Sequence, residues 1–465
     1  MNLSNKAIRY FHRTKPRSAV IGPLIPKGIS AASPLSNGAP AQPGEYSWRR
    51  WVEPWYLAYA LLGATVAGVV PILLPLTVSR AHGATEVGLV MATVSLGGLT
   101  APLWGRLADR HRLHRWLLAG GLAVTAAGLA AFPFTTGPVI WLGLALLQGI
   151  GAAAAATVAN LFVVEVHPQI EWDARIGWLQ TFYGGGQVAG LFLAGALGQA
   201  HLRLGLLMAA ALAALALLPG WVSTQTPSWL LPTRPVLLHP ARHGEWAICS
   251  PQRLFHHLTW QAVHQLGTSL RSPFGLFLIA WLLSFGGAAA IFCLYPVLME
   301  HLYGVPPGLS SLAFGVAAAL GLALYSPAGR WSDRSSPAGV LRIALAVRLL
   351  AFLGLLILGF TRYGGRGYLA LLAFLFVVLA WSLLSVSGTA LTAELSPVGE
   401  GEGMGLFNAA TAVAGVIGAA VGGWIAGRWG YGPALGLAVL GVGCGLILAL
   451  GIQPVTPAQR VQKRQ

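Results

Sequence analysis

Gln180, Tyr183 and Gln187 recur at i, i+3 and i+7, which sets two amides and a phenol on one helical face. Such groups bond without ionising, so the chemistry they offer is recognition of a neutral or weakly amphipathic molecule. Gln148, Thr157 and Asn160 lie upstream, and Tyr295, Tyr325, Ser382, Ser385, Asn408 and Thr411 form a second set. All stand in apolar segments, where a polar side chain serves either a cavity or a bond between helices, the latter worth about 0.6 kcal/mol. Both readings are open at this point. No Asp or Glu lies well inside an apolar segment; Glu165, Glu300 and Glu394 sit at segment ends, and Glu53 precedes the first. Proton coupling at membrane depth needs a titratable group there, so the sequence gives it no support. An acid-free cavity also disfavours permanent cations. Arg348 is the only deep charge; a side chain that snorkels is the first expectation for it and substrate binding the second.

No His, Cys and acid set converges on a nucleophile or metal constellation, so neither an enzyme nor a cofactor is implied. The cysteines, Cys249, Cys293 and Cys444, suggest no disulfide framework. Charged residues make up 9% of the 465 and hydrophobic ones 55%. Soluble domains carry about 25% charged residues. The net charge of +16 raises the question of nucleic acid. The arginines instead sit in short loops between apolar runs, where orientation signals belong, so no nucleic-acid partner is expected.

The elements that carry these residues are twelve apolar segments, at 54–79, 85–108, 114–134, 138–165, 173–199, 203–223, 273–299, 308–330, 338–360, 367–393, 403–427 and 431–452. Each is long enough to cross about 30 Å of hydrocarbon as a helix, and none alternates like a barrel strand. The fold class is therefore an all-α polytopic membrane protein of twelve transmembrane helices. Basic residues concentrate in the N-tail, in 105–115, in 225–272, in 330–342 and in the C-tail. Only Arg80, Arg203, Arg362, Arg366 and Arg428 fall on the other side. That bias places both termini in the cytoplasm. The expected divisions are a disordered basic tail at 1–50, a six-helix bundle at 51–224, a cytoplasmic loop at 225–272, a second bundle at 273–453 and a C-tail at 454–465. Within the loop, residues 251–266 have the composition of a cationic amphipathic helix lying on the membrane.

The two bundles repeat. "GRLADR", from Gly105 to Arg110, returns as "GRWSDR" from Gly329 to Arg334, an offset of 224. "EVHPQIE" from Glu165 matches "ELSPVGE" from Glu394 at 229, and Gly177, Gly190 and Gly195 fall on Gly405, Gly418 and Gly423 at 228. Charged loops at matching positions rarely arise by chance, so the halves are homologous and in parallel arrangement.

With these blocks the chain resembles the major facilitator superfamily over about residues 50 to 455, in particular its drug-efflux branch. The family's G-x-L-x-D-R-x-G-R-R/K loop is matched by Gly105, Leu107, Asp109 and Arg110, and its second copy by Gly329, Asp333 and Arg334; Arg112 replaces the later glycine. The resemblance implies a conformational latch at this loop, with Asp109 facing the start of helix 11 near Gly403. Plain positive-inside anchoring accounts for the arginines alone. Helix 5 resembles the family's antiporter motif at Gly186, Gly190, Leu191, Ala194 and Gly195, with Leu191 in place of its proline. Helix 11 echoes it at Gly418, Gly422 and Gly423, and small-residue packing is the competing account. Helix 4 keeps Gln148, Gly149 and Gly151 but has Ala145 where the family's arginine stands.

What the resemblance implies is a monomeric secondary transporter in the cell membrane, working by alternating access. Efflux of a small hydrophobic or amphipathic compound is the leading expectation. Metabolite uptake, and a transporter-like receptor or assembly factor that moves nothing, are the alternatives. The cavity candidates are Gln148, Asn160, Gln180, Tyr183, Gln187, Tyr295, Tyr325, Ser385 and Asn408.

Overall fold

The computed structural model describes residues 52–111, 113–167, 171–197, 201–223, 272–361, 364–397 and 400–452. The N-tail, the amphipathic stretch in the 225–272 loop and the C-tail therefore lie outside the described residues. Twelve helical rods account for the rest: α1 Tyr56–Ala81, α2 Ala84–Gly105, α3 His114–Phe134, α4 Pro138–Val166, α5 Trp172–Leu197 and α6 Leu202–Trp221. The second six are α7 Pro273–Phe292, which resumes as Tyr295–Tyr303, then α8 Pro307–Arg334, α9 Pro337–Phe360, α10 Arg366–Leu395, α11 Glu400–Trp429 and α12 Tyr431–Leu450. Eleven are long and apolar enough to cross a bilayer. The exception is α5, because Gln180, Tyr183, Gln187 and a run of glycines dilute it.

Local signals explain where helices start and break. Ser272 and Ser336 each cap a helix by accepting from the backbone N–H three residues on, Gly275 and Gly339, at 3.0 Å, with proline next in line. Pro296 has no N–H to continue α7, and the helix breaks at Cys293–Leu294. α1 widens into a π segment, Ala64–Val69, just before Pro71, whose ring would crowd the carbonyl of Ala67 in a regular helix. Gly304 ends the second part of α7 with φ +69, a left-handed cap that a side chain resists.

The near side is taken here as the one where α1 begins. Successive rods alternate in direction, so α5 and α11 end on the far side, where α2 and α8 begin. The halves meet at those far ends. A Cβ on Gly195 of α5 would stand 2.8 Å from Leu312 and 3.1 Å from the Gly308 carbonyl of α8. Gly423 of α11 abuts Gly88, with the Ala84 carbonyl of α2 2.9 Å from its would-be Cβ. Gly195 and Gly423 differ by 228, and Ala84 and Gly88 differ from Gly308 and Leu312 by 224, so the two seams are copies of one contact. Ser311 Oγ adds a bond to the Leu191 carbonyl oxygen across the α5–α8 seam at 2.8 Å.

The motif glycines of α5 and α11 also bind each half internally. Gly186 and Gly190 lie against the Ala60 and Ala64 carbonyls of α1, and Gly418 and Gly422 lie against Gly286 and Ala290 of α7. Side chains at these positions would overlap the neighbouring backbone. Close helix packing is therefore a role these residues hold in the fold, whatever further part they play.

Candidate functional site

Between the two halves, from mid-span at Arg348 and Phe292 toward the near side at Trp178 and Ser326, lies a cavity of about 1550 Å³. α5 contributes Trp178, Gln180, Thr181, Tyr183 and Gln187; α8 contributes Phe314, Tyr325 and Ser326; α10 contributes Trp381, Ser382 and Ser385. Ala67 and Pro71 of α1, Met91 and Ser95 of α2, Phe285 and Phe292 of α7, and Gly415 of α11 complete the wall. The π segment and Pro71 thus bring α1 to the cavity where its helix is least regular. Arg348 of α9 is the one charged residue among those lining it.

In the first half, a hydrogen-bonded chain joins three helices. Asn160 Nδ2 donates to the Tyr59 hydroxyl at 3.3 Å and to the Ala156 carbonyl at 2.8 Å, and Gln180 Nε2 donates to Asn160 Oδ1 at 3.2 Å. The Tyr59 and Tyr183 rings lie 4.9 Å apart beside this chain. Asn160 therefore ties α1 and α5 to α4, while Gln180, Tyr183 and Gln187 present to the cavity, as their i, i+3, i+7 spacing suggests. Gln148 departs from its expectation as a cavity residue. It is wholly buried, both amide atoms lack a protein partner, and it faces Gly128 of α3 rather than this cavity.

In the second half, Tyr325 and Ser385 line the cavity, and Ser382 does so while donating to the Gly321 carbonyl at 2.8 Å. Tyr295 does not line it. Its ring stacks on Phe374 with centroids 3.9 Å apart, and its hydroxyl donates to the Ser310 carbonyl, so it is a packing residue. Thr411 accepts from Trp281 Nε1 at 2.8 Å, and Asn408 is exposed and is not among the residues lining this cavity.

Arg348 overturns the expectation of a lipid-facing side chain. It is 2% exposed and belongs to the buried stripe of α9 with Leu341, Ala344, Leu345, Phe352 and Leu355. The lipid-facing stripe is Ile343, Leu350 and Ile357, all exposed. That phase is written in the sequence, since 341, 345, 348, 352 and 355 follow helical spacing. Ser95, Thr181, Ser326, Trp178 and Trp381 are cavity residues outside the candidate set, and Arg348 joins them from a helix not expected to line the cavity.

At the near-side mouth of α1, α4 and α5 stands a charged cluster. Glu53 accepts from Trp55 Nε1 at 2.7 Å and from Arg175 Nη1 at 2.9 Å; Arg175 Nε reaches Glu171 at 2.9 Å. His167 Nε2 lies 2.7 Å from Glu53 Oε1. Burial, the larger influence, holds the His167 pKa below the ordinary histidine value, and Arg175 acts in the same direction against the pull of Glu53. Of the loop candidates, Gly105 packs toward Thr157 and Leu161 of α4, a Cβ at Gly329 would meet open space, and Arg334 is exposed. The side chains of Asp109, Arg110 and Asp333 lie outside the described residues. Gly403 lies against Ser396, the residue that follows α10. No group of three His, Cys, Asp or Glu among the described residues is placed to hold a metal.

Residues 55–400 match the sequence model of the Major Facilitator Superfamily. A multi-drug resistance efflux pump, PmrA, from Streptococcus pneumoniae is 28% identical over 159 residues, which are 32% of this chain and 39% of that one. A class E tetracycline resistance protein from Escherichia coli is 32% identical over 154 residues, 32% of this chain and 37% of that one. The chain thus spans less than half the length of either relative. Among solved structures, the crystal structure of the nucleoside transporter NupG superposes with a TM-score of 0.64 at 15% identity, covering 86% of this chain and 96% of NupG. At that identity the likeness is one of fold.

Proposed function

The chain belongs to the major facilitator superfamily, a family of multi-span membrane transporters, and from that premise we propose that it exports a small amphipathic compound by alternating access. The observation that carries the proposal is the cavity between the two halves, which runs from mid-span toward the near side, together with a far side joined by two copies of one glycine seam. Parting those seams while the near-side ends close exchanges which side the cavity faces. The bias of basic residues puts the near side in the cytoplasm, so the arrangement is one that loads from inside. The partial likeness to a multi-drug efflux pump and a tetracycline resistance protein supports the outward direction. We place the protein in the plasma membrane on the same ground.

The loop at Gly105, Asp109 and Arg110, with its copy at Gly329, Asp333 and Arg334, acts in this proposal as the latch between near-side ends. Gln180, Tyr183, Gln187, Tyr325 and Ser385 orient the substrate through hydrogen bonds, while the aromatic wall holds its apolar body.

The test is flux in proteoliposomes containing the full chain, with tetracycline and a panel of fluorescent amphipathic dyes, with and without a pH gradient. Saturable movement of at least one compound is the expected result. Dependence on the gradient would establish proton coupling, and independence would exclude it. No movement across the panel, from either side, would overturn the proposal in favour of a transporter-like receptor.

A further inference from the structure

Arg348 lies eleven residues into the 24-residue α9, about 16 Å from its start, and so at the middle of the span. A guanidinium stays charged there, because it does not give up its proton in proteins. Taking such a charge out of water costs several kcal/mol unless a partner compensates. Among the described residues none does. Nε is buried with no hydrogen-bond partner, and no carboxylate lines the cavity. The guanidinium carbon stands 5.6 Å from the Phe292 ring centroid and 5.9 Å from that of Trp381. At such range, near the limit for the interaction, ring faces return only about 0.5–2 kcal/mol. The protein thus holds an undercompensated cation at the wall of its own cavity.

We infer that Arg348 anchors the anionic headgroup of the substrate, which is a small amphipathic anion, a carboxylate or sulfonate on an aromatic or aliphatic body. The inference rests on the transport reading and deepens it by naming the substrate class. A planar carboxylate offers two oxygens to the guanidinium fork. Phe285, Phe292 and Trp381 then flank the apolar body, with Gln187 and Ser385 available to its polar substituents. The polar residues alone would suit a neutral compound; the buried charge changes the expected ligand. It also explains why a cavity with no acid carries a base.

The test uses the detergent-purified full chain and two matched probes, 1-naphthoate and the isosteric 1-naphthamide, at constant ionic strength. Thermal midpoint and tryptophan fluorescence are followed in wild type, Arg348→Lys and Arg348→Gln. Naphthoate is expected to raise the midpoint saturably in wild type, and naphthamide is not. Arg348→Gln is expected to weaken naphthoate at least tenfold, and Arg348→Lys to weaken it less. Without ligand, Arg348→Gln is expected to melt no lower than wild type, since it removes an uncompensated charge, which guards against an unfolded variant. Equal responses to the two probes, an undiminished response in Arg348→Gln, or no response in wild type each overturn the inference. Flux separates it from the transport reading. Movement of a neutral dye without any anion effect at Arg348 leaves transport standing and removes this inference. Naphthoate binding at Arg348 with no flux of any compound does the reverse.

Discussion

Ser311 Oγ donates to the Leu191 carbonyl oxygen at 2.8 Å, and this bond joins α8 of the second half to α5 of the first. It lies beyond the cavity on the far side, next to the contact between Gly195 and Leu312. Leu191 occupies the place that the family's antiporter motif gives to proline. The acceptor is the backbone carbonyl, which any residue at 191 supplies, so this half-to-half contact does not depend on the side chain there.

The glycine seam between α5 and α1 makes a sharp prediction. A Cβ on Gly186 would overlap the Ala60 carbonyl, whereas one on the adjacent Gly185 meets nothing within 4 Å. Gly186→Val is expected to cost about 1–3 kcal/mol through overpacking, and Gly185→Val to stay within about 0.5 kcal/mol. Thermal melting of the purified proteins decides it. Equal midpoints for the two variants would contradict the seam.

The latch prediction concerns the repeated charged loop. Asp109→Asn is expected to slow dye flux severalfold and to change the near-side labelling rate of a cysteine placed at Thr181 on the cavity wall. Asp333→Asn in the second copy is expected to have a milder effect. Normal flux and unchanged labelling in Asp109→Asn would leave that loop as positive-inside anchoring alone.

The charged cluster around Glu53 gives a pH prediction. Because burial holds His167 below its ordinary value of 6.5, the unfolded chain binds that proton more readily than the folded one. Stability is therefore present above about pH 6.5 and is lost as pH falls toward the folded value. The melting midpoint is expected to drop between pH 7.5 and 5.5, and His167→Gln is expected to make the drop smaller. The same slope in both proteins would assign it elsewhere.

Much of this architecture is legible in the chain itself, because membrane helices announce themselves by length and apolar run, and duplication by repeated loops. The offsets of 224 and 228 even carry through to matching contacts, Gly195 on Gly308 and Gly423 on Ala84. The site is less legible. Hydrogen-bonding type alone does not tell which way a side chain faces, so Gln148 and Tyr295 look like Gln187 and Tyr325 until the helices are assembled. Arg348 shows the converse. Its phase with Leu345 and Phe352 points inward, so the pattern of its neighbours in the sequence already speaks against a snorkel.

Alternating access is tested most directly by locking the far-side seam. A cysteine at Gly315 would place its Cβ 3.4 Å from that of residue 191, close to the spacing of about 3.8 Å found in disulfides. Leu191→Cys with Gly315→Cys, in a background with Cys249, Cys293 and Cys444 replaced by alanine, is reconstituted and assayed for dye flux. Oxidation is expected to stop flux, and reduction is expected to restore it. Undiminished flux through the verified cross-linked protein would contradict a mechanism in which the two halves must part on the far side.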